Sequence, residues 1–285
     1  MMFIKFTQIL PMRINRKSRL FRKKLSRLPQ IGKRQIFILA VLVLSLGLFV
    51  TQYLFSKSGI VAVISLAVLT DLFLFLALRK DLKDNATSEV FILPFFYSLS
   101  FGLFYFLVPA RFLTRIIVTL IYAFGLYSLF LSENIFTVSS IRTIALSSSA
   151  RTVSFVVTIL SYFFLSNVIF SLHLSLFYLI PLIFIFSFPL VMHAIWIYAL
   201  EIKFKDALFW STLLTACILE VSLILWFWPS RPTVLALFLT GFFYSIVGLT
   251  QAWFDKRLFR NVILEYIWVA IIVFVVLALF TSWSG

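Results

Sequence analysis

A basic run that stops abruptly before a long uncharged stretch is the strongest constraint on what this chain can fold into. Ten Lys and Arg residues crowd the segment 13–34, and the twenty residues from Ile36 to Phe55 carry no charge. About 20 apolar residues in a helix, at roughly 1.5 Å each, cover the hydrocarbon core of a bilayer. No small-residue cleavage motif follows Phe55, so we predict that this stretch is a retained membrane anchor rather than a cleaved signal peptide.

The rest of the chain repeats the apolar pattern and leaves no room for a separate soluble domain. Only 12% of the 285 residues are charged, where a soluble domain typically has about 25%. Nine apolar runs are long enough to span a membrane: Ile36–Phe55, Gly59–Leu78, Val90–Pro109, Leu113–Ser132, Thr152–Leu172, Leu174–Leu200, Ala207–Pro229, Thr233–Phe254 and Val262–Trp283. The sequence therefore predicts an all-α, polytopic transmembrane bundle of about nine spans over residues 35–285, after a basic tail over residues 1–34.

The distribution of Lys and Arg between alternate connections predicts the direction in which the chain threads the membrane. With the amino terminus inside, 21 of the 25 Lys and Arg fall on the inner side. The four on the outer side are Lys57, Arg111, Arg115 and Arg231. Positive charge collects on the cytoplasmic side of membrane proteins. We expect an integral protein of a bacterial inner membrane, with a cytoplasmic amino terminus and a carboxy terminus outside.

The basic tail predicts a lipid partner. The net charge of +15 could suggest nucleic acid, but eleven of the 25 Lys and Arg lie in residues 1–34, directly before a membrane anchor. We expect these cations to contact anionic lipid headgroups, and we expect no nucleic acid. Phe21, Leu25 and Leu28 are spaced for one helical face, which favours a short helix on the membrane surface. A tail that only orients the protein fits equally well.

Three ionisable residues inside the apolar runs are the candidate binding residues: Asp71, His193 and Glu220. An ionisable side chain in hydrocarbon costs about 2.5–3.5 kcal/mol on insertion scales, so such a residue usually faces the bundle interior and often marks a functional site. Asp71 and His193 lie at similar depths below the predicted inner surface, which makes a contact between them possible. Glu220 is predicted near the midplane.

The sixth predicted span is unusual because it contains two prolines, Pro181 and Pro189. Each proline removes a helix hydrogen bond and crowds the carbonyl four residues earlier, so we expect the helix to bend there. His193 follows Pro189 by one turn, and bent helices with nearby ionisable groups form binding sites in many transporters. Alternatively, the prolines are simply tolerated and His193 is hydrogen-bonded in the interior.

The motifs of several enzyme classes are missing from the sequence. Two histidines and one cysteine do not make an ordinary zinc cluster, and no nucleophile-elbow or phosphate-loop motif occurs. We therefore expect no metal and no cofactor. The favoured hypothesis is a non-enzymatic structural or interaction protein of the membrane. The alternative is a small-molecule or ion transporter or channel that uses the kinked sixth span, and an intramembrane lipid enzyme has the least support.

The segment Glu133–Arg151 is predicted to connect the fourth and fifth spans on the inner side, either as a surface helix with a serine-rich turn or as a flexible connector. Four short motifs lie in and just after it: Asn134-Ile135-Phe136, Ile141-Arg142-Thr143, Ala150-Arg151-Thr152-Val153 and Phe163-Phe164-Leu165 ahead of Asn167. In these motifs the chain resembles an uncharacterised family of polytopic membrane proteins from candidate-phylum bacteria. That resemblance implies a membrane context and assigns no functional residue.

Overall fold

A computed structural model describes residues 32–51, 57–79, 88–109, 111–139, 147–198 and 204–281. Most of the predicted basic tail lies outside these ranges. Within them the chain forms nine α-helices: α1 (Lys33–Thr51), α2 (Lys57–Leu78), α3 (Ile92–Tyr105), α4 (Phe112–Ser139), α5 (Ser147–Ser171), α6 (Leu176–Tyr198), α7 (Phe204–Trp226), α8 (Pro232–Phe254) and α9 (Arg260–Leu279). A short 3-10 turn, Ser88–Phe91, precedes α3, and no β-strand occurs in the described ranges.

All nine described helices are long and apolar enough to cross a membrane, the third when α3 is taken together with the preceding 3-10 turn as Ser88–Tyr105. This confirms the predicted all-α bundle of about nine spans. Each predicted span coincides with one helix, and most boundaries agree to within a few residues. The main difference is α4, which continues seven residues beyond Ser132, the predicted end of the fourth span.

Helix α5 lies at the centre of the bundle. It packs against α3, α4, α6 and α8, and 61% of its apolar window is buried inside the protein. Helix α9 is the opposite case, because it packs mainly on α8 and only 6% of its window is buried. An apolar helix with that little protein contact needs lipid as its surroundings.

Alternating helices give the bundle two ends. We call the end at which α1 begins the tail side and the other end the far side. On the tail side, Arg151 near the start of α5 lies 3.5 Å from Asp255, which follows α8. On the far side, the Trp228 indole donates a 2.7 Å hydrogen bond to the Thr281 hydroxyl, so the turn after α7 is tied to the end of α9. Each contact joins helix ends that an alternating topology places on one side.

Glycines allow three close approaches between neighbouring helices. A Cβ at Gly125 of α4 would collide with the Tyr97 hydroxyl, and one at Gly102 would lie 2.5 Å from a Val63 methyl group. A Cβ at Gly248 would run into the ring of Tyr266, which is part of the contact between α8 and α9. Small residues serve this purpose in membranes, where van der Waals packing must hold helices together without a hydrophobic driving force.

Candidate functional site

The structure differs most from the predicted architecture at Glu133, which lies inside α4 and not in a connection between helices. The expected connection Glu133–Arg151 starts too early, because α4 continues through Glu133 to Ser139 and α5 begins at Ser147. Residues 140–146 of that connection lie outside the described ranges. Glu133 therefore lies inside a membrane-spanning helix, about 9 Å from its end at 1.5 Å per residue. The buried Phe136 one turn later continues the apolar face of α4, which explains why the helix does not stop at the charge.

Glu133 pairs with His193 of α6. The Glu133 Oε1 atom lies 3.2 Å from His193 Nε2, and both residues are 0% exposed. A buried charge is stable only with a partner, so each side chain explains the presence of the other. One atom of each group, Glu133 Oε2 and His193 Nδ1, makes no hydrogen bond to any described residue. The pair therefore keeps unused hydrogen-bonding capacity in the interior.

Apolar residues cover the pair toward the tail side. Trp196 follows His193 on α6, and its ring centroid lies 6.0 Å from that of the imidazole. Phe136 follows Glu133 on α4 and meets Trp196 edge-on at 6.5 Å. Phe136 also belongs to a small buried cluster with Ala150 and Ile197, at the start of α5 and the end of α6. This cover separates the pair from the nearer membrane surface.

Asp71 of α2 lies near this pair. It is half-buried, its Oδ1 atom is buried without a hydrogen-bond partner among the described residues, and it interacts electrostatically with Glu133. Among the described residues, no hydrogen bond or ion pair joins Asp71 to His193. Instead, Glu133 is the residue with which both interact. Two of the three sequence-predicted ionisable residues are thus brought to one region by a residue that was not among the candidates.

Glu220 lies apart from this region. It is exposed on the outer surface of α7, where its neighbours along the helix are apolar. Pro181 and Pro189 both lie within α6, which is continuous from Leu176 to Tyr198. Pro181 is exposed and Pro189 is half-buried. The roles of these three residues in binding, and the expected bend of α6, stay predictions.

A chain of hydroxyl groups begins next to Asp71. Thr70 Oγ1 lies 2.8 Å from Ser98 Oγ, which lies 2.9 Å from the Tyr122 hydroxyl, so the contacts join α2, α3 and α4. Tyr97 stacks on Tyr122 with ring centroids 5.5 Å apart and donates a 3.0 Å hydrogen bond to the Tyr122 carbonyl. All of these side chains are buried. Each hydroxyl can both donate and accept a hydrogen bond.

Polar side chains of α5 and α8 also hold α6 in place. Gln251 of α8 donates a 3.1 Å hydrogen bond to the carbonyl of Ala194, the residue after His193. The Arg151 guanidinium lies 4.9 Å from the ring centroid of Tyr198 at the tail-side end of α6. Together they hold the segment that carries His193 against α5 and α8. Polar side chains of membrane helices commonly hydrogen-bond a neighbouring helix in this way.

The described residues offer no group of three or more His, Cys, Asp or Glu side chains that could hold a metal ion. Clefts lined by described residues open near both ends of the bundle. A far-side cleft of about 470 Å³ lies between the turns after α5 and α7 and is lined by residues that include His173, Trp226 and Trp228. A tail-side cleft of about 350 Å³ is lined mainly by apolar residues such as Trp210 and Trp253. Neither is lined by Glu133, His193 or Asp71.

Comparison with known proteins places the chain in a family without assigning an activity. No curated protein and no solved structure matches it. The family model described as "Protein of unknown function (DUF5656)" matches residues 35–280, which takes in all nine described helices except the first two residues of α1. The match agrees with the resemblance to an uncharacterised family. The chain therefore belongs to the DUF5656 family of proteins of unknown function.

Proposed function

We propose that this protein is an integral membrane transporter or channel that moves an ion through a site built on Glu133 and His193. The observation that carries the proposal is the direct contact between these two fully buried ionisable side chains, supplied by two different membrane-spanning helices. Ionisable residues inside spans commonly mark ion pathways or proton relays.

The energetics of the pair support a functional role over a purely structural one. Burying two charges costs several kcal/mol each, and apolar residues of similar volume often stabilise a fold as well or better. Leucine or phenylalanine, which this chain uses throughout its core, would therefore hold α4 against α6 at a lower cost in free energy.

The surroundings of the pair support ion movement. Asp71 adds a third ionisable group from a third helix, and a separate chain of hydroxyl contacts from Thr70 to Tyr122 starts at the residue before it. Pro189 lies one turn before His193 and leaves the carbonyl of Ile185 without its usual helix donor. A carbonyl without its helix donor can accept a hydrogen bond from another group beside the ionisable pair.

A non-enzymatic structural or interaction protein is the competing function. The continuity of α6 and the distance of Glu220 from the pair favour it, because a single cavity shared by all three predicted ionisable residues is not formed. In that case the pair would only specify how α4 and α6 dock. The two functions differ in whether ions cross the membrane.

We base the proposed membrane and orientation of the protein on its charge distribution. The protein lies in a bacterial inner membrane, in an organism of a candidate phylum, with its tail side facing the cytoplasm and its carboxy terminus outside. The basic tail contacts anionic lipid headgroups. The split of 21 to 4 Lys and Arg between tail side and far side supports this orientation.

The test is electrical recording on proteoliposomes that contain the purified protein. Gradients of H⁺, Na⁺, K⁺ and Cl⁻ are imposed one at a time, and the current is compared with that of empty liposomes. We expect a current with at least one ion that falls at least tenfold in Glu133→Gln and His193→Gln. Glu265→Gln, a change at an exposed carboxylate on α9, is the matched control and should leave the current unchanged. No current with any ion would overturn the proposal.

A further inference from the structure

We infer that the ion bound at the Glu133–His193 pair is a proton and that the pair holds either one or two protons. This inference rests on the proposed function, because it names the ion that the site would move. It follows from the atoms in contact, from the ligands that the site lacks, and from the charge that surrounds it.

The contact itself requires a proton. A carboxylate oxygen and an unprotonated imidazole nitrogen are both acceptors only, so the 3.2 Å approach of Glu133 Oε1 to His193 Nε2 needs one hydrogen between them. With that single proton, a neutral imidazole donates to a carboxylate and the pair has a net charge of −1. A second proton can add to His193 Nδ1 or to Glu133 Oε2, the two atoms without a hydrogen bond to any described residue. The pair then becomes neutral overall.

Metal cations do not fit the site. Zinc takes four ligands and calcium six to eight oxygens, whereas the pair offers one nitrogen and the oxygens of one carboxylate. No group of three or more His, Cys, Asp or Glu residues in the described ranges is arranged to hold a metal ion. A proton needs only one or two of these atoms, so the pair is complete as a proton site.

The pair has an ionisable neighbour in Asp71 of α2, which interacts electrostatically with Glu133. Uptake of the second proton removes the net charge of the pair beside that side chain. Among the described residues, the hydrogen bond within the pair is the only direct contact that Glu133 or His193 makes with an ionisable group. Most charged groups on the elements packed against α4 and α6 lie toward the tail side: Lys33 and Arg34 of α1, Arg79 after α2, Glu89 before α3, Arg151 of α5, Lys205 and Asp206 of α7, and Asp255 after α8. The exceptions are Asp71 inside α2, Glu220, which is exposed on α7, and Lys57 and Arg231 at the far-side starts of α2 and α8.

The position of the pair suits a site that binds a proton and releases it. Both residues are fully buried beneath the cover formed by Phe136 and Trp196, so exchange with water requires that α4 and α6 move apart there. A membrane interior penalises net charge, which makes the neutral, doubly protonated pair the favoured form while the site is closed. Opening to water removes that penalty and allows one proton to leave.

Infrared difference spectroscopy on the full-length protein in lipid vesicles tests the inference directly. Spectra at low and high pH are subtracted, at fixed ionic strength, with the protein carrying ¹⁵N-histidine. We expect carboxyl or imidazole bands that change with pH, disappear in Glu133→Gln and in His193→Gln, and persist in Glu265→Gln. Exchanging Na⁺ for K⁺ at constant pH should leave these bands unchanged. Variants that elute as a monodisperse peak qualify for comparison.

Two outcomes would overturn the inference: a pH-difference spectrum that neither substitution of the pair changes, or bands of the pair that respond to the metal cation instead of to pH. Failure of the inference is distinguishable from failure of the proposed function. A titrating pair in a protein that passes no current refutes transport and keeps the proton site. A current carried by another ion, with a pair that does not titrate, refutes the proton site and keeps transport.

Discussion

Glu133 and His193 lie 60 residues apart in the chain, yet their side chains come within 3.2 Å of each other and neither has any exposed surface. The contact joins α4 directly to α6. Elsewhere these two helices are linked mainly by α3 and α5, which pack against both of them. Removing one partner leaves the other as an uncompensated polar group in an apolar interior, whereas removing both leaves only a change of shape.

This asymmetry predicts a specific pattern in stability. Glu133→Leu and His193→Leu should each lower the free energy of unfolding by about 3–5 kcal/mol, which is typical when one partner of a buried pair is removed. The double variant should be close to the wild type. Thermal unfolding in detergent or in lipid nanodiscs measures all four proteins. Additive losses in the double variant would contradict the pairing.

Gly125 provides a second test, because it allows the Tyr97 hydroxyl to reach α4. A Cβ at position 125 would collide with that hydroxyl, and it would lie 3.0 Å from the next ring atom, Cζ. Gly125→Ala should therefore destabilise the protein and break the hydrogen bond from Tyr97 to the Tyr122 carbonyl. Adding Tyr97→Phe removes the colliding oxygen and should recover most of the lost unfolding temperature. If the double variant is less stable than Gly125→Ala alone, this packing is wrong.

Glu220 should behave in the opposite way from Glu133. Its carboxylate is exposed on the outer surface of α7 inside an apolar span, where an ionised group is costly. Glu220→Leu is therefore expected to leave the unfolding temperature in nanodiscs unchanged or to raise it. Glu133→Leu, measured in parallel, serves as the comparison. A loss as large as that of Glu133→Leu would mean that Glu220 has an important partner within the protein.

The ion pair between Arg151 and Asp255 should contribute little to stability. Both side chains are 25% exposed, and partly exposed pairs are typically worth about 0.2–1 kcal/mol. Asp255→Asn is expected to cost no more than that, and the difference from wild type should shrink at high salt. Arg151→Lys should cost somewhat more than Asp255→Asn, since lysine loses the guanidinium plane that lies over Tyr198. Chemical unfolding at two salt concentrations measures both effects.

The number and order of the helices could be predicted because each one needs its own long apolar run. Lipid satisfies no backbone hydrogen bond, so a long apolar segment that crosses by itself is helical, and hydropathy then counts the crossings. The positions of Asp71 and His193 within their apolar runs predict similar depths for the two residues, which stays a prediction. Glu220 shows the limit of this reasoning, because depth does not tell which face of a helix a residue occupies.

Glu133 was missed for a physical reason. A charged residue followed by Asn134 ends an apolar run, and a local hydropathy pattern cannot include a partner on another helix that makes the charge tolerable. Ile135 and Val138 continue the apolar pattern of α4, but in the sequence they fit equally a connection that is either a surface helix or a flexible connector. Only the lateral arrangement of α4 and α6 identifies His193 as the partner.

The proton current through the double variant Glu133→Leu/His193→Leu is the most direct test of whether the buried pair conducts or merely holds the helices together. The variant is expected to fold with near-wild-type stability, which separates function from stability. In proteoliposomes with an imposed pH gradient, the wild type should carry a proton current and the stable double variant should carry less than a tenth of it. A double variant that conducts protons as well as the wild type would contradict the central claim.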